Sequence, residues 1–298
     1  MRRAVTYDEF VERLSLLFPS EEEAYQAFQP RPTDVIIAPF AKCGTTWLQQ
    51  IVHSLRTGGD MDFEDIYEVV PWIDVALDLG IDLDADQRAN PRAFKSHGSW
   101  DEVPRGCRYL VSFRDPRDAA VSMFRFMEGW FIEPGAIPIG EFVERRSFDR
   151  QTEPDYWRHL ASWLSQRDNP DVHLLTFEEM KQDLRGVVER IAAFIGVDAG
   201  DALLDLATRR SSFEFMSANK GPFSDPWLRS RAEVVAAIPP NGDSAKVRDG
   251  KVGDHRHELS SQTLARFDEI WAETIGAEFG YPTYQHLVTD LRESKHPS

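Results

Sequence analysis

Four short, nearly continuous apolar runs punctuate the chain: VIIA at 35–38, AFKS at 93–96, RYLVSF at 108–113 and VHLLTF at 172–177. None alternates strictly between apolar and polar as a half-exposed strand does, and segments of helical spacing follow or separate them. That pattern belongs to a parallel sheet covered on both faces. After the first run, Leu48, Ile51, Val52 and Leu55 fall at i, i+3, i+4 and i+7 and place one apolar stripe on a helix. After the third run, in RDPRDAAVSMF, Asp115 can cap a helix whose first residue is Pro116. Further helices are expected at 155–167, 185–196, 202–209 and 260–275. The expected fold class is α/β, a three-layer α/β/α arrangement around a central, mainly parallel sheet.

No internal repeat and no long Pro/Gly/Ser linker divides the chain, so one domain over 1–298 is expected. The opening MRRAVTYDEFVERLSLLF reads as a small surface helix. Its acids interrupt what would be the apolar centre of a secretory signal, so export is not supported. The stretch IPPNGDSAKVRDGKVGD at 238–254 is loop-like, and a loop of that length is either disordered or a functional flap.

Composition removes several function classes. No apolar run reaches the roughly 18 residues of a membrane helix, and a formal net charge of −16 repels nucleic acid and acidic membrane surfaces. Cys43 and Cys107 are too few for a disulfide framework and lack metal-ligand spacing, which suits a reducing cytoplasm. His255 and His257 invite a zinc reading, but no third ligand falls in register, so no metal is expected. An anionic small molecule remains compatible with the acidic total wherever basic groups converge.

They converge in the segments that follow the strands. In KCGTTW, Gly44, Thr45 and Thr46 open the helix after the first run. Unpaired N–H groups and the helix dipole there make an anion site, and Lys42 adds a full charge. A capped helix with a solvated lysine is the plainer alternative. The loop is not a Walker A motif, whose lysine follows the last glycine; here the lysine precedes Gly44 by two residues. Lys95 and His97 follow the second run, where an open α/β sheet binds its ligands beyond the carboxyl ends of its strands. Arg114 ends the third run, with Ser122 two turns into the next helix, and the 238–254 loop supplies Arg248, Gly250 and Lys251. Taken singly, His97 could be a structural histidine and Arg114 the partner of Asp118. The aromatic YWRHLASW at 156–163 has helical spacing and reads as core.

In this order, the four segments resemble the family of cytosolic sulfotransferases that use 3′-phosphoadenosine 5′-phosphosulfate (PAPS), over about residues 33–275. KCGTTWLQQIV is similar to the family's 5′-phosphosulfate loop, with Cys43 in place of a serine. FKSH resembles the strand end that carries the catalytic histidine, YLVSFRDPRDAAVS the 3′-phosphate segment, and VRDGKVGD the flap that closes on the same phosphate. The resemblance implies a fold like that of P-loop nucleotide-binders, PAPS as donor, adenosine 3′,5′-bisphosphate (PAP) as product, and no metal. It implies His97 as general base, Lys42 and Lys95 as positive clamps on the moving sulfuryl group, and Ser122 on the 3′-phosphate and on Lys42. The donor would be held by Lys42, Cys43, Gly44, Thr45, Thr46, Arg114, Ser122, Arg248, Asp249 and Gly250. Trp47 and Phe213 would stack on adenine, with Phe177 and Ser211 beside it. Asp249 stands where the family usually has a second basic residue and Phe177 where it usually has tyrosine. RHELSSQTLA at 256–265 keeps little of the family's dimer motif, so a monomer or a different dimer is expected.

The acceptor would be a small molecule with a hydroxyl or amine, met by the segment 124–142, with Phe126, Trp130, Phe131 and Ile132 as apolar candidates. Two rivals stand beside this reading. A P-loop kinase needs a lysine after Gly44 and a magnesium-binding aspartate at a strand end. A silent nucleotide-binder would have no use for His97 and both lysines.

Overall fold

Val35–Ile37 (β1), Ala93–Lys95 (β2), Arg108–Phe113 (β3) and Val172–Thr176 (β4) form one all-parallel sheet in the order β2-β1-β3-β4. The computed structural model that shows this describes residues 1–149, 155–240, 252–253 and 255–293. Every residue of β1 and β2 is buried, which is why those runs lack a polar alternation. In register, Ile37 faces Lys95 on one side and Leu110 on the other, and Phe113 faces Thr176. The four segments that leave the strands therefore emerge from one edge of the sheet.

In chain order the helices are α1 (Tyr7–Ser15), α2 (Glu21–Ala27), α3 (Thr45–Thr57), α4 (Ile66–Val69), α5 (Pro116–Glu128), α6 (Ile139–Val143), α7 (Tyr156–Leu164) and α8 (Phe177–Gln182). They continue with α9 (Leu184–Ile195), α10 (Asp201–Arg210), α11 (Phe213–Ala218), α12 (Pro226–Val235), α13 (His255–Glu258), α14 (Ser261–Trp271), α15 (Ala277–Phe279) and α16 (Tyr284–Glu293). The fold is the expected α/β sandwich. α3 packs on β1 and β2 and carries α9 and α10; α5 packs against α6, α13 and α14. Asp115 caps α5 by accepting from the Arg117 N–H, with Pro116 at the first helical position. Its oxygens also take the Arg117 guanidinium, so this aspartate near a strand end is occupied structurally. At the opposite edge of the sheet, Arg92 and Asp34 form a fully buried bidentate pair (2.6 and 3.1 Å) just before β2 and β1. No helix among the described residues is long and apolar enough to cross a membrane.

Two expectations change here. α1 is not a mere surface helix: Tyr7 and Phe10 are buried, and Ala4 ahead of it bridges to Ile132, donating to the Phe131 carbonyl (2.8 Å) and accepting from the Glu133 N–H (2.9 Å). Phe131 and Ile132 are themselves fully buried under this clasp. They are core residues and do not line the cavity described below, because the backbone pairing with Ala4 turns that stretch inward.

Candidate active site

The edge where β1, β2 and β3 end opens into a cavity of about 1650 Å³. That exceeds the roughly 300–1,000 Å³ of a pocket for one small ligand, leaving room for two reactants together. Lys42, Gly44, Thr45, Thr46, Trp47, Lys95, His97, Arg114, Ser122, Phe126, Trp130, Phe177, Ser211 and Phe213 all line it. Residues spread over 170 positions of sequence thus meet in one space.

The β1 turn is shaped by two left-handed residues, Lys42 (φ 69°) and Gly44 (φ 100°). Only glycine fits the second without cost, since a Cβ there would come within 3.3 Å of Ser112 Oγ. Gly44 also offers no side chain to cap α3, so the first N–H groups of that 13-residue helix stay available to an anion at its positive end. Thr45 Oγ1 and Ser211 Oγ are buried and have no hydrogen-bond partner among the described residues. Buried hydroxyls in that state suit a ligand that completes them. Cys43 behaves differently from the expectation for a donor-contacting residue. Its side chain is fully buried beneath the turn, and burial pushes the thiol up to about 12, so it is no thiolate. Its carbonyl accepts from Ser112 Oγ (2.5 Å), which ties the turn to β3.

Arg114 grips the same turn from the side, donating Nη1 to the Lys42 carbonyl (3.1 Å) with its guanidinium 4.5 Å over the Phe177 ring. Asp118 is engaged elsewhere: it accepts from the Gly253 N–H (2.7 Å) and from His255 Nδ1 (2.7 Å). Burial works to raise the Asp118 carboxyl, yet these partners hold it below the usual carboxylate range. His255 is thereby committed to an aspartate, and the described residues contain no group of three or more His, Cys, Asp or Glu placed to hold a metal. Trp47 packs edge-on to Phe177 (5.6 Å) and donates its indole N–H to the Ser211 carbonyl (2.7 Å), so these three form one wall; Phe213, more exposed, stands at the rim. Arg248, Asp249 and Gly250 lie outside the described residues.

Across the cavity, His97 donates from Nδ1 to the Pro39 carbonyl (2.7 Å). A carbonyl can only accept, so Nδ1 carries a proton, and whenever the ring is neutral the lone pair is on Nε2. The Trp72 ring meets the imidazole edge-on at 5.2 Å. Lys95 is almost fully buried, with Nζ 3.0 Å from the Tyr67 hydroxyl and 3.3 Å over the Trp72 ring. Asp74 lies close by and accepts from the Tyr25 hydroxyl (2.6 Å); burial raises its carboxyl despite that bond and the Lys95 charge. Lys42 Nζ sits 4.1 Å over Phe126. Beneath the turn, His159 donates Nε2 to the Ala38 carbonyl (3.0 Å), and burial pushes its pKa down to about 3, which keeps it neutral. The aromatic α7 is core, as its spacing suggests.

Sequence reasoning overlooked Tyr67 and Trp72, which contact Lys95, Asp74, which feels its charge, and Tyr25, whose hydroxyl meets Asp74 and Ser96; Trp72 also flanks His97. Trp72 and Asp74 lie in the run VVPWID at 69–74, whose strand-like contact with β2 leads the Lys95 N–H to the Pro71 carbonyl (2.7 Å). It also overlooked Tyr7 and Phe10 on α1.

The description "Sulfotransferase domain" belongs to a family model that matches residues 32–278. Sulfotransferase 1C2 of Homo sapiens is 25% identical over 257 residues, covering 83% of this chain and 84% of the relative. Sulfotransferase 1E1 of Homo sapiens is 29% identical over 290 residues, covering 90% and 94%. The structure of mouse sulfotransferase SULT7A1 complexed with PAP matches with a TM-score of 0.68 at 21% identity, covering 95% of each chain, and so shares the fold. With a family match over most of its length, and with the strand ends gathered around one large cavity, this chain belongs to the sulfotransferase family and is a transferase of that class.

Proposed function

We propose that the protein transfers the sulfuryl group of PAPS to a hydroxyl of a small, largely apolar acceptor, with an amine as the less favoured nucleophile. The observation that carries this reading is the meeting of His97, with Nδ1 on the Pro39 carbonyl, the Lys42 and Lys95 side chains and a helix N-terminus without a side-chain cap in one cavity. The α3 N–H groups, Thr45, Thr46 and Lys42 hold the 5′-phosphosulfate end. Arg114 and Ser122 hold the 3′-phosphate, and Trp47, Phe177, Ser211 and Phe213 enclose the adenine.

His97 Nε2 takes the acceptor's proton as its oxygen bonds to sulfur, because a neutral alcohol or phenol is a poor nucleophile until that proton is leaving. The bond from sulfur to the bridging oxygen breaks in line, and Lys42 meets the charge left on the phosphate, while Lys95 steadies the equatorial oxygens. These groups neutralise charge without a metal, and a cytoplasmic setting fits the two buried thiols.

Calorimetric titration of PAP, with ADP as control and no metal present, tests the donor site. Micromolar binding that requires the 3′-phosphate is expected; absent binding, or a preference for ADP with magnesium, reopens the kinase reading. Arg114→Ala should weaken PAP by about 1.5–3 kcal/mol, the range for a hydrogen bond to a charged group. The 3′-dephosphorylated nucleotide should lose far less, and equal losses for both would refute the assignment.

A further inference from the structure

The sheet's hold on the segment that leaves β2 ends with the bond from the Ser96 N–H to the Ile37 carbonyl (3.0 Å). Past that point His97 rides on a turn held by side chains. The Gly98 N–H donates to Ser96 Oγ (2.8 Å), which brackets His97 between the two, and the Ser99 N–H donates to Glu102 (2.7 Å). Ser96 is fully buried, and its Oγ lies 2.6 Å from the Tyr25 hydroxyl, which lies 2.6 Å from Asp74 Oδ1. Tyr25 comes from α2 and Asp74 from the short turn Ile73–Val75, so separate segments close on the residues either side of His97.

Chemistry gives this row of bonds a direction. An amide N–H can only donate and a carboxylate can only accept, so the Tyr25 hydrogen goes to Asp74, the Ser96 hydrogen goes to Tyr25, and Ser96 keeps lone pairs for Gly98. The Lys95 charge favours the Asp74 carboxylate against its burial. Burial and Asp74 push the Tyr25 hydroxyl well above its usual range, so it stays a protonated donor. Gly98 makes the close approach possible, since a Cβ there would sit 3.3 Å from the Tyr25 hydroxyl and 3.3 Å from Ser96 Oγ. The imidazole thus has two supports, the Pro39 carbonyl at Nδ1 and the hydrogen-bonded row at its backbone. The first depends on the second, because a ring on a loosened turn can leave the carbonyl and take either tautomer.

We propose that Tyr25 and Asp74 are positioning residues for His97, acting through Ser96 on the turn that keeps Nδ1 on the Pro39 carbonyl and so presents Nε2 to the acceptor. The kinetic consequence rests on the sulfuryl-transfer reading; the conformational one does not.

The test uses the full chain and compares Tyr25→Phe, Ser96→Ala and their double variant. Three quantities are read: kcat with PAPS and para-nitrophenol, Kd for PAP, and the His97 imidazole nitrogen NMR shifts at mildly alkaline pH, assigned with His97→Asn. The parent should show His97 with its proton on Nδ1. Tyr25→Phe should add the Nε2–H tautomer and lower kcat by about tenfold, within the loss that a small misplacement of a reacting group causes, with the Kd for PAP unchanged. Ser96→Ala should do the same, and in that background Tyr25→Phe should change kcat by less than about twofold, because the two hydroxyls act as one unit. Asp74→Asn, which keeps an acceptor oxygen for Tyr25, should retain the parent tautomer, and Asp74→Ala should lose it. A hydroxyl that only stabilises the fold would lower the melting temperature and leave the tautomer of the folded protein untouched. A parent-like tautomer in Tyr25→Phe, or kcat losses that multiply in the double variant, overturns the positioning role. If para-nitrophenol is not sulfated by the parent, that outcome counts against the acceptor reading, and the tautomer series still decides the role of Tyr25 and Asp74.

Discussion

His97→Ala is expected to lower kcat by about 10²–10⁴-fold, the usual span of general-base catalysis, while the Kd for PAP stays nearly unchanged. The geometry makes this a sharp expectation, because Nδ1 is committed to the Pro39 carbonyl and the base would therefore have to be Nε2. The same bond also ties the β2 segment to the β1 turn, so an alanine removes a structural contact along with the base. His97→Asn separates the two effects: its amide N–H can reach the Pro39 carbonyl in place of Nδ1, but it cannot take a proton. Asparagine should therefore recover most of any stability lost in the alanine variant and remain equally inactive. Measurable turnover in the asparagine variant, close to that of the parent chain, would remove His97 from the role of base. A fall in PAP affinity matching the fall in kcat would point instead to a histidine that only shapes the turn.

What the sequence made legible follows from how locally each feature is determined. The β1, β2 and β3 ends could be placed because buried parallel strands are short apolar runs, and because Asp115 with Pro116 marks the start of α5 without reference to anything distant. Lys42, Lys95, His97 and Arg114 could be brought to one edge on topology alone, since parallel strands deliver their carboxyl ends together. Side-chain direction within a turn was not legible. Cys43 sits between two left-handed residues, and its inward aim depends on Ser112 across the sheet. Nor could pattern reveal that Phe131 and Ile132 face the core, because that depends on Ala4 pairing with them from the far end of the sequence. The Lys95 environment was hidden for the same reason: Tyr67, Trp72 and Asp74 reach it through tertiary contacts that leave no periodic trace.

Lys42 should show the other large effect, and with it a separation of activity from stability. Lys42→Met keeps the aliphatic stem and removes the charge, so kcat should fall by about 10²–10³-fold, the loss seen when one donor that stabilises developing charge is deleted. Lys42→Gly should lose as much activity. The two variants should differ in stability, because φ 69° at position 42 is a strained conformation for any residue with a Cβ and an ordinary one for glycine. Relief of that strain makes the glycine variant more stable than the methionine variant by about 1 kcal/mol, which denaturant unfolding can resolve. The Arg114 bond to the Lys42 carbonyl is a backbone contact and survives in both, so the comparison isolates the Cβ from the anchor. If both variants keep the parent's kcat, charge at this position does not act on the leaving phosphate. If they lose activity but the glycine variant is the less stable, the left-handed turn is set by its surroundings more cheaply than its φ suggests. A glycine variant that is inactive and more stable would mean that the chain tolerates a strained lysine at the head of α3 for the sake of the charge it delivers into the cavity.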